Sequence, residues 1–386
     1  MGKPDFKETS QGNWTFIRNV LVKALALLTI MNVVFYFWYP LQDLGGLSAY
    51  NHLFPGRKRL PYGENPEKAY NLSLFNLEAM LNSHELAKGA KPEDEFRAIL
   101  IGDSATWGFL QHPDETLAEE LNKEDIQLSD GRKLRVYNLG YPVMSLTKDL
   151  LMLSLALRFQ PDLIIWPITL ESLPRDKQLF PPILQHNPSL ARALIAEYNL
   201  ALDPKSSEFV DPKLQDRTLF GARRSIADLI RFQLLGVMWA ATGIDQFIPE
   251  TYTLRAEDLS ADISFHDLNP PYLNRDDLAL DILSAGMRMV GDIPVIIVNE
   301  PMFISQGENS DIRYNFYYPR WAYDSYREIL VEESSEQGWY YYDFWDAIPN
   351  SEFTNSAIHL TPRGSAIFAQ KINAAILETL ATLGID

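Results

Sequence analysis

The 386-residue chain contains no cysteine and only six histidines. Without cysteine, disulfide bonds, thiolate nucleophiles and cysteine-based zinc sites are excluded. The sequence also lacks a glycine-rich phosphate loop and any spacing of His, Asp and Glu that resembles a metal site, so we predict no cofactor and no metal. Basic residues are scarce, with 34 Lys and Arg against 51 Asp and Glu, and the net charge of −17 disfavours nucleic acid as a partner.

One long apolar stretch, residues 20–39, stands out in this acidic sequence and is interrupted only by Lys23 and Asn32. About 20 helical residues cross the hydrocarbon layer of a membrane, which is about 30 Å thick. Aromatic residues crowd the C-terminal end of the stretch, as is typical of a membrane interface, and Pro40 follows. No Ala-x-Ala-like cleavage site comes after it, so we predict an uncleaved transmembrane anchor at 20–40. The alternative is a buried core helix.

The flanks of this anchor determine the predicted topology. Basic residues near the start favour a cytoplasmic N-terminal tail, 1–19, and a single-pass membrane protein whose large domain lies outside the cytoplasm. Basic residues 57–59 soon after the anchor work against this orientation. Residues 41–94 are interpreted as a linker, rich in Gly and Pro near its start, with a flanking helix at 72–87.

From residue 95 onward, predicted strands and helices alternate. Short apolar runs predict the strands, and the helical spacing of apolar residues predicts the helices between them. The strands are at 97–101, 135–139, 163–166, 295–298 and 339–343, and the helices at 114–122, 147–159, 278–290, 323–337 and 362–383. This alternation predicts an α/β domain over 95–386, with a mostly parallel five-stranded sheet covered by helices on both faces.

An insertion at about 173–276 interrupts the alternation. Within it, residues 226–247 form a second apolar run that carries no charge between Arg231 and Asp245. That gap is too short to span a bilayer comfortably. It is compatible with a lid over the active site, a helix lying on the membrane or a surface for a membrane partner, and equally with an ordinary buried helix pair.

A candidate nucleophile follows the first predicted strand. The strand ends abruptly in Gly102-Asp103-Ser104, and small residues there allow a sharp turn that holds a serine out at the end of the sheet. Most serines after strands merely cap a helix. Ser104 is therefore a candidate nucleophile only if another part of the chain supplies a base. His359 lies in the loop before the last predicted helix, which a doubly wound sheet brings to the same edge as Ser104. The other five histidines have no such placement.

These residues carry a resemblance to a known family. Gly102-Asp103-Ser104, Gly140 and the segment from His359 to Gly364 resemble the SGNH (GDSL) hydrolase superfamily, over about 97–143 and 295–383. The resemblance implies a flavodoxin-like three-layer α/β/α sandwich. It implies further that Ser104 is the nucleophile, that the Gly140 N–H donates to the oxyanion, and that His359 is the base.

One departure from the family pattern concerns the oxyanion hole. The third block of the family carries an asparagine that donates to the oxyanion, and none follows the third predicted strand here. Thr169 or Ser172 could donate a hydroxyl hydrogen bond instead, whereas Glu171 would repel an oxyanion. Loss of one such donor can lower a rate by about 10²–10³.

A second departure concerns the group that orients the base. The family's aspartate, three residues before the histidine, is Ser356 here, with Asn355 next to it. Neither carries the negative charge that stabilises an imidazolium. A backbone carbonyl could orient His359 instead, or Glu352 or Glu300 could approach it.

Two functions follow as expectations. The first is a membrane-anchored SGNH-type serine esterase or O-acyltransferase. Its resemblance to SGNH proteins of the cell envelope implies acyl esters of a carbohydrate or lipid-linked substrate, and an integral-membrane partner. The second is a catalytically inactive SGNH-fold subunit with a structural or docking role in a membrane complex, which the two departures favour.

Overall fold

The structure is a computed structural model that describes residues 6–47, 51, 56–62, 76–227, 229, 230, 234, 248 and 250–385. Its strands are β1 (Glu95–Leu100), β2 (Lys133–Asn138), β3 (Leu163–Ile168), β4 (Val295–Asn299) and β5 (Tyr340–Asp343). The helices of the N-terminal part are α1 (Phe6–Trp38), α2 (Leu41–Gly45), α3 (Leu77–Asn82), α4 (Ser104–Trp107), α5 (Leu117–Asn122) and α6 (Leu146–Ala156). Those that follow are α7 (Pro182–Gln185), α8 (Pro188–Tyr198), α9 (Leu280–Val290), α10 (Arg320–Gln337) and α11 (Pro362–Leu383).

All five strands run parallel, in the order β2-β1-β3-β4-β5. The first strand therefore lies inside the sheet, and the chain moves to one side of it with β2 and to the other side with β3. In such a sheet the carboxyl ends of the strands near the reversal form the crevice where ligands bind. The predicted flavodoxin-like parallel sheet is confirmed.

The strands are apolar on both faces because helices cover both. Side chains alternate along a strand, so Ile99 and Trp166 enter one core, which contains residues of α6, α9 and α10. Leu100 and Ile165 enter the other, which contains residues of α5 and α11. Two separate cores on one sheet make the domain a three-layer sandwich.

Helix α1 differs in extent from its prediction. It begins at Phe6 rather than near residue 20, because hydropathy marks only the apolar part of a helix and residues 6–19 contain no proline to stop it. Its segment Asn13–Trp38 is long and apolar enough to cross a membrane, and the most apolar part of this segment is not buried. The alternative of a buried core helix is therefore wrong, while a membrane anchor and a signal sequence both fit this helix.

Other boundaries shift by a few residues. The helix predicted to begin at Asp114 is α5, which begins at Leu117 after Thr116, because the Glu115 N–H closes a turn on the His112 carbonyl. The helix predicted at 72–87 is α3 followed by a short 3₁₀ turn, Glu85–Lys88, and its first residues lie outside the described part of the chain. Most of the apolar run at 226–247 also lies outside it.

Candidate active site

The turn after β1 depends on Gly102 and on the capping of α4. Gly102 has φ +153°, and a Cβ there would lie 2.4 Å from Thr106 Oγ1, so a side chain is excluded. Asp103 caps α4, with its Oδ1 accepting the Ala105 N–H at 2.8 Å. Ser104 is thus the first residue of α4, half-buried at the carboxyl edge of the sheet.

The structure brings the two predicted catalytic side chains together. Ser104 Oγ and His359 Nε2 lie 2.8 Å apart, although 255 residues separate them in sequence. The loop before α11 carries His359 and is closed by the Thr354 N–H, which donates to the His359 carbonyl at 2.8 Å. Burial lowers the pKa of His359 to about 4. The imidazole is therefore neutral at pH 7 and can accept the serine proton through Nε2.

Asn355 orients the His359 ring. Its Oδ1 lies 3.0 Å from Nδ1 of His359, which places the proton of the neutral ring on Nδ1 and leaves Nε2 as the acceptor. An amide brings no charge to offset the effect of burial on the pKa of His359. The Ser356 side chain is hydrogen-bonded to Tyr317. This hydrogen bond lowers the pKa of Tyr317, against the larger upward effect of burial.

The two carboxylates that could have oriented His359 have other partners in the described part of the chain. Glu352 accepts a hydrogen bond from the Thr361 hydroxyl at 2.5 Å. Glu300 lies within 3.4 Å of the Thr106 hydroxyl, on the buried side of the turn. The orienting group is thus an uncharged side chain four residues before the histidine.

Gly140 lies directly behind α4, but its N–H already has an acceptor. A Cβ on Gly140 would come within 2.8 Å of the Trp107 nitrogen, so the close approach requires glycine. The Gly140 N–H donates to Asn138 Oδ1 at 3.0 Å, and Asn138 Nδ2 donates to the Thr106 carbonyl at 2.9 Å. Asn138 was not identified from the sequence. A polar residue at the carboxyl end of an otherwise buried strand was the available signal.

Thr169 and Glu171 are also bonded within the protein. Thr169 is fully buried, and its hydroxyl lies 2.8 Å from the Tyr318 hydroxyl. Glu171 forms an ion pair with Lys177 and lies 2.9 Å from Nε2 of His266. Hydrogen bonds from these two partners help to hold the pKa of Glu171 below its usual value against the opposing effect of burial. The His266 pairing was missed because it joins the third strand end to the distant insertion.

A buried lysine ties the nucleophile turn to the Gly140 loop. Lys148, on α6, is fully buried, and its Nζ donates to the carbonyls of Gly102 and Tyr141, both at 2.6 Å. The same Nζ lies 2.5 Å from Asp149 Oδ1. A Lys-Asp pair within a leucine-rich helix was the sequence signal for this contact. Lys148 fixes the two loops relative to each other.

Three buried carboxyl groups lie around this lysine. Burial raises the pKa of Asp103 to about 6, with Lys148 opposing the rise. Burial, and then repulsion from Asp103 and Asp149, raise the pKa of Glu300 well above its usual value. These shifts favour the neutral form of Glu300, which limits the negative charge beneath the turn.

The segment that follows α2 covers the other side of the turn. Arg59 is buried, its guanidinium lies 4.2 Å from the centre of the Trp107 ring, and its Nη1 donates to the Gly108 carbonyl at 2.7 Å. The Trp107 indole N–H donates to the Leu60 carbonyl at 2.7 Å. Residues assigned to the linker from sequence thus support the turn that carries Ser104.

The chain was compared with protein families, curated proteins and solved structures. No family model and no curated protein matches the chain. Solved structures do, among them a member of the lipolytic protein G-D-S-L family from Veillonella parvula, with 11% identity, a TM-score of 0.33, and coverage of 71% of this chain and 94% of that one. The parallel sheet, the turn at Ser104 and the position of His359 at the same sheet edge are as the resemblance to the SGNH (GDSL) hydrolases implies.

Two further solved structures match this chain. A carbohydrate acetylesterase family member from Sinorhizobium meliloti has 13% identity and a TM-score of 0.32, over 74% of this chain and 99% of that one. A catalytic mutant of an acetylxylan esterase from Geobacillus stearothermophilus has 11% identity and a TM-score of 0.30, over 72% of this chain and 93% of that one.

In the described part of this chain, no group of three or more His, Asp and Glu side chains could hold a metal ion.

Proposed function

We propose that the protein is a membrane-anchored SGNH-type serine esterase or O-acyltransferase. The observation that carries the proposal is the 2.8 Å separation between Ser104 Oγ and the Nε2 of His359, whose Nδ1 is held by Asn355. A serine paired with a neutral, oriented imidazole at the carboxyl edge of a parallel sheet has the geometry of an activated nucleophile.

The proposed reaction proceeds in two displacements. Ser104 Oγ attacks the acyl carbon while its proton passes to His359 Nε2, and the carbonyl oxygen takes up the negative charge. His359 then gives the proton to the leaving alkoxide, which departs as an alcohol and leaves an acyl-Ser104 ester. Water releases the acid in an esterase, and a hydroxyl of an acceptor takes the acyl group in a transferase. His359 deprotonates the incoming hydroxyl and returns the proton to Ser104.

The membrane anchor and the substrate class belong to the proposal. Helix α1 is the apolar helix that would hold the domain at the membrane, with the domain on the extracytoplasmic side. The resemblance to SGNH proteins of the cell envelope supports acyl esters of a carbohydrate or lipid-linked compound as substrates, and an integral-membrane partner. An acetylated sugar and its acceptor are the substrates to assay first.

A fluorophosphonate probe tests the serine directly. We expect the full-length protein to be labelled, Ser104→Ala to abolish labelling, and the exposed-site control Ser351→Ala to retain it. Intact mass spectrometry gives the stoichiometry. Failure of the folded wild-type protein to react would refute the proposal.

A second candidate is an inactive subunit of a membrane complex. It is favoured by the hydrogen bonds that already occupy the Gly140 N–H and the Thr169 hydroxyl, and by the uncharged partner of His359. This candidate predicts no labelling, and unchanged complex assembly for Ser104→Ala. Labelling that depends on both Ser104 and His359 would rule it out.

A further inference from the structure

The insertion contacts the C-terminal part of α1. The Phe220 N–H donates to Asn32 Oδ1 at 3.2 Å, and the Arg217 guanidinium lies 5.7 Å from the ring centres of both Tyr36 and Tyr39. Phe35 of α1 also packs against an apolar cluster, which consists of Leu41, Ala79, Ala222 and Leu229. Described residues of the insertion are thereby fixed beside the last two turns of α1.

These contacts set the depth at which this part of the insertion lies relative to a membrane crossed by α1. From Asn32 to Trp38 is about 9 Å along the axis of an α-helix. In a helix that crosses the membrane, residues this close to its aromatic end lie at the boundary between acyl chains and headgroups. Phe220 is therefore held at that boundary and not in bulk water.

The insertion exposes large apolar side chains in this region. Phe220 is 70% exposed, Leu214 73% and Ile230 55%. Arg223 lies beside Phe220, with its guanidinium 4.8 Å from the centre of the Phe220 ring, in the manner of a basic side chain that extends from an apolar surface toward headgroups. A groove of about 350 Å³ beside them is lined by α1 residues such as Leu28, Val33 and Phe37 and by Thr218. An acyl chain suits such a lining.

We propose that Leu214, Phe220 and Ile230 form a membrane-seating surface, which inserts into the lipid interface beside α1 and fixes the tilt of the domain over the bilayer. The inference rests on the proposed anchoring by α1. It commits to lipid as the occupant, because the contacts with α1 set this surface at the interface whether or not a protein partner is present.

The absence of cysteine makes the test direct. In the full-length protein, Phe220→Cys carries an environment-sensitive NBD label, with Tyr272→Cys, 74% exposed, as the matched control. Both are reconstituted, without any other protein, in vesicles of phosphatidylcholine and phosphatidylglycerol. We expect the label at 220 to show blue-shifted emission and quenching by nitroxide-bearing lipids, and the label at 272 to be quenched by aqueous iodide.

Washing the vesicles with alkaline carbonate distinguishes a failure of the α1 anchor from a failure of the membrane-seating surface. Protein that stays in the vesicles while its label at 220 is quenched by iodide, and not by nitroxide lipids, would overturn the seating surface and leave the anchor intact. Protein that is stripped from the vesicles would overturn the anchor and the seating surface with it. Fluorophosphonate labelling of Ser104 is read separately and depends on neither result.

Discussion

On the nucleophile side of the site, Ser104 and His359 stand within hydrogen-bond distance, whereas on the oxyanion side the Gly140 N–H and the Thr169 hydroxyl are each bonded to another side chain. The two side chains of the proposed attacking pair are in contact, but the groups that would stabilise an oxyanion are bonded within the protein. Catalysis by this site thus requires substrate to displace Asn138 from the Gly140 N–H, or other donors such as the Ser104 N–H to suffice. The difference separates the two candidate functions.

The largest expected effect is on the nucleophile side. His359→Ala removes the group that accepts the Ser104 proton, so we expect the rate of fluorophosphonate labelling to fall by about 10⁴, whereas Ser104→Ala abolishes labelling altogether. Stopped-time labelling followed by mass spectrometry measures this rate. A variant that reacts at the wild-type rate would mean that the 2.8 Å contact has no role in activating the serine.

The next effect concerns the lysine that joins the two sides. Lys148→Met leaves Asp149 and the carbonyls of Gly102 and Tyr141 without their buried partner, so the free energy of unfolding should fall by about 3–5 kcal/mol. Urea denaturation of the detergent-solubilised full chain measures it.

Lys133→Met is the matched control for this substitution. Lys133 is 56% exposed and pairs with Asp125 at 3.2 Å, so its loss should change the free energy of unfolding by less than about 1 kcal/mol. Equal losses in the two variants would show that Lys148 has no special role between the loops.

Asn355→Asp places on the nucleophile side the negative charge that the wild-type protein lacks there. A carboxylate at Nδ1 should raise the pKa of His359 from about 4 by roughly 1–3 units and speed serine acylation about tenfold. Only the neutral imidazole can accept the serine proton, so the labelling rate of the wild-type protein should fall as pH drops toward 4. In the variant the rate should begin to fall at a higher pH, because the pKa of His359 is higher. Ser351→Asp, which adds a charge nearby, should leave the profile unchanged; a profile that does not move in Asn355→Asp would contradict the role of Asn355.

The smallest effect lies beneath the turn. Burial raises the pKa of Glu300 in the folded protein well above its ordinary value of 4.5, so its contribution to stability falls as pH rises above 4.5. Glu300→Gln cannot ionise and should raise the free energy of unfolding at pH 7 by about 1 kcal/mol or more, with no gain below pH 4.5. The exposed Glu328→Gln serves as the control. Destabilisation at pH 7 by Glu300→Gln would contradict the raised pKa of Glu300.

The sequence sufficed for those parts that local patterns determine. Apolar runs marked all five strands, and the order of strands and helices led to the parallel sheet that brings Ser104 to His359. Asn355 could be named as a candidate only because it adjoins the position of the missing aspartate. Lys148 and Asn138 were not predicted, since each acts through backbone groups of other segments that only the folded chain brings near. Helix α1 begins 14 residues before the predicted anchor, because the continuation of a helix into polar sequence leaves no hydropathy signal.

The contacts of Arg59 and Leu60 bear on where the domain can be cut. Trp107 sits directly after the nucleophile turn and is only 1% exposed, in part because these two residues cover it. A soluble fragment that starts at residue 95, where the first strand begins, would expose this tryptophan and release the Gly108 carbonyl from its guanidinium partner. For enzymology without α1, the fragment should begin ahead of Gly56, so that the strap which closes over the turn remains part of the folding unit.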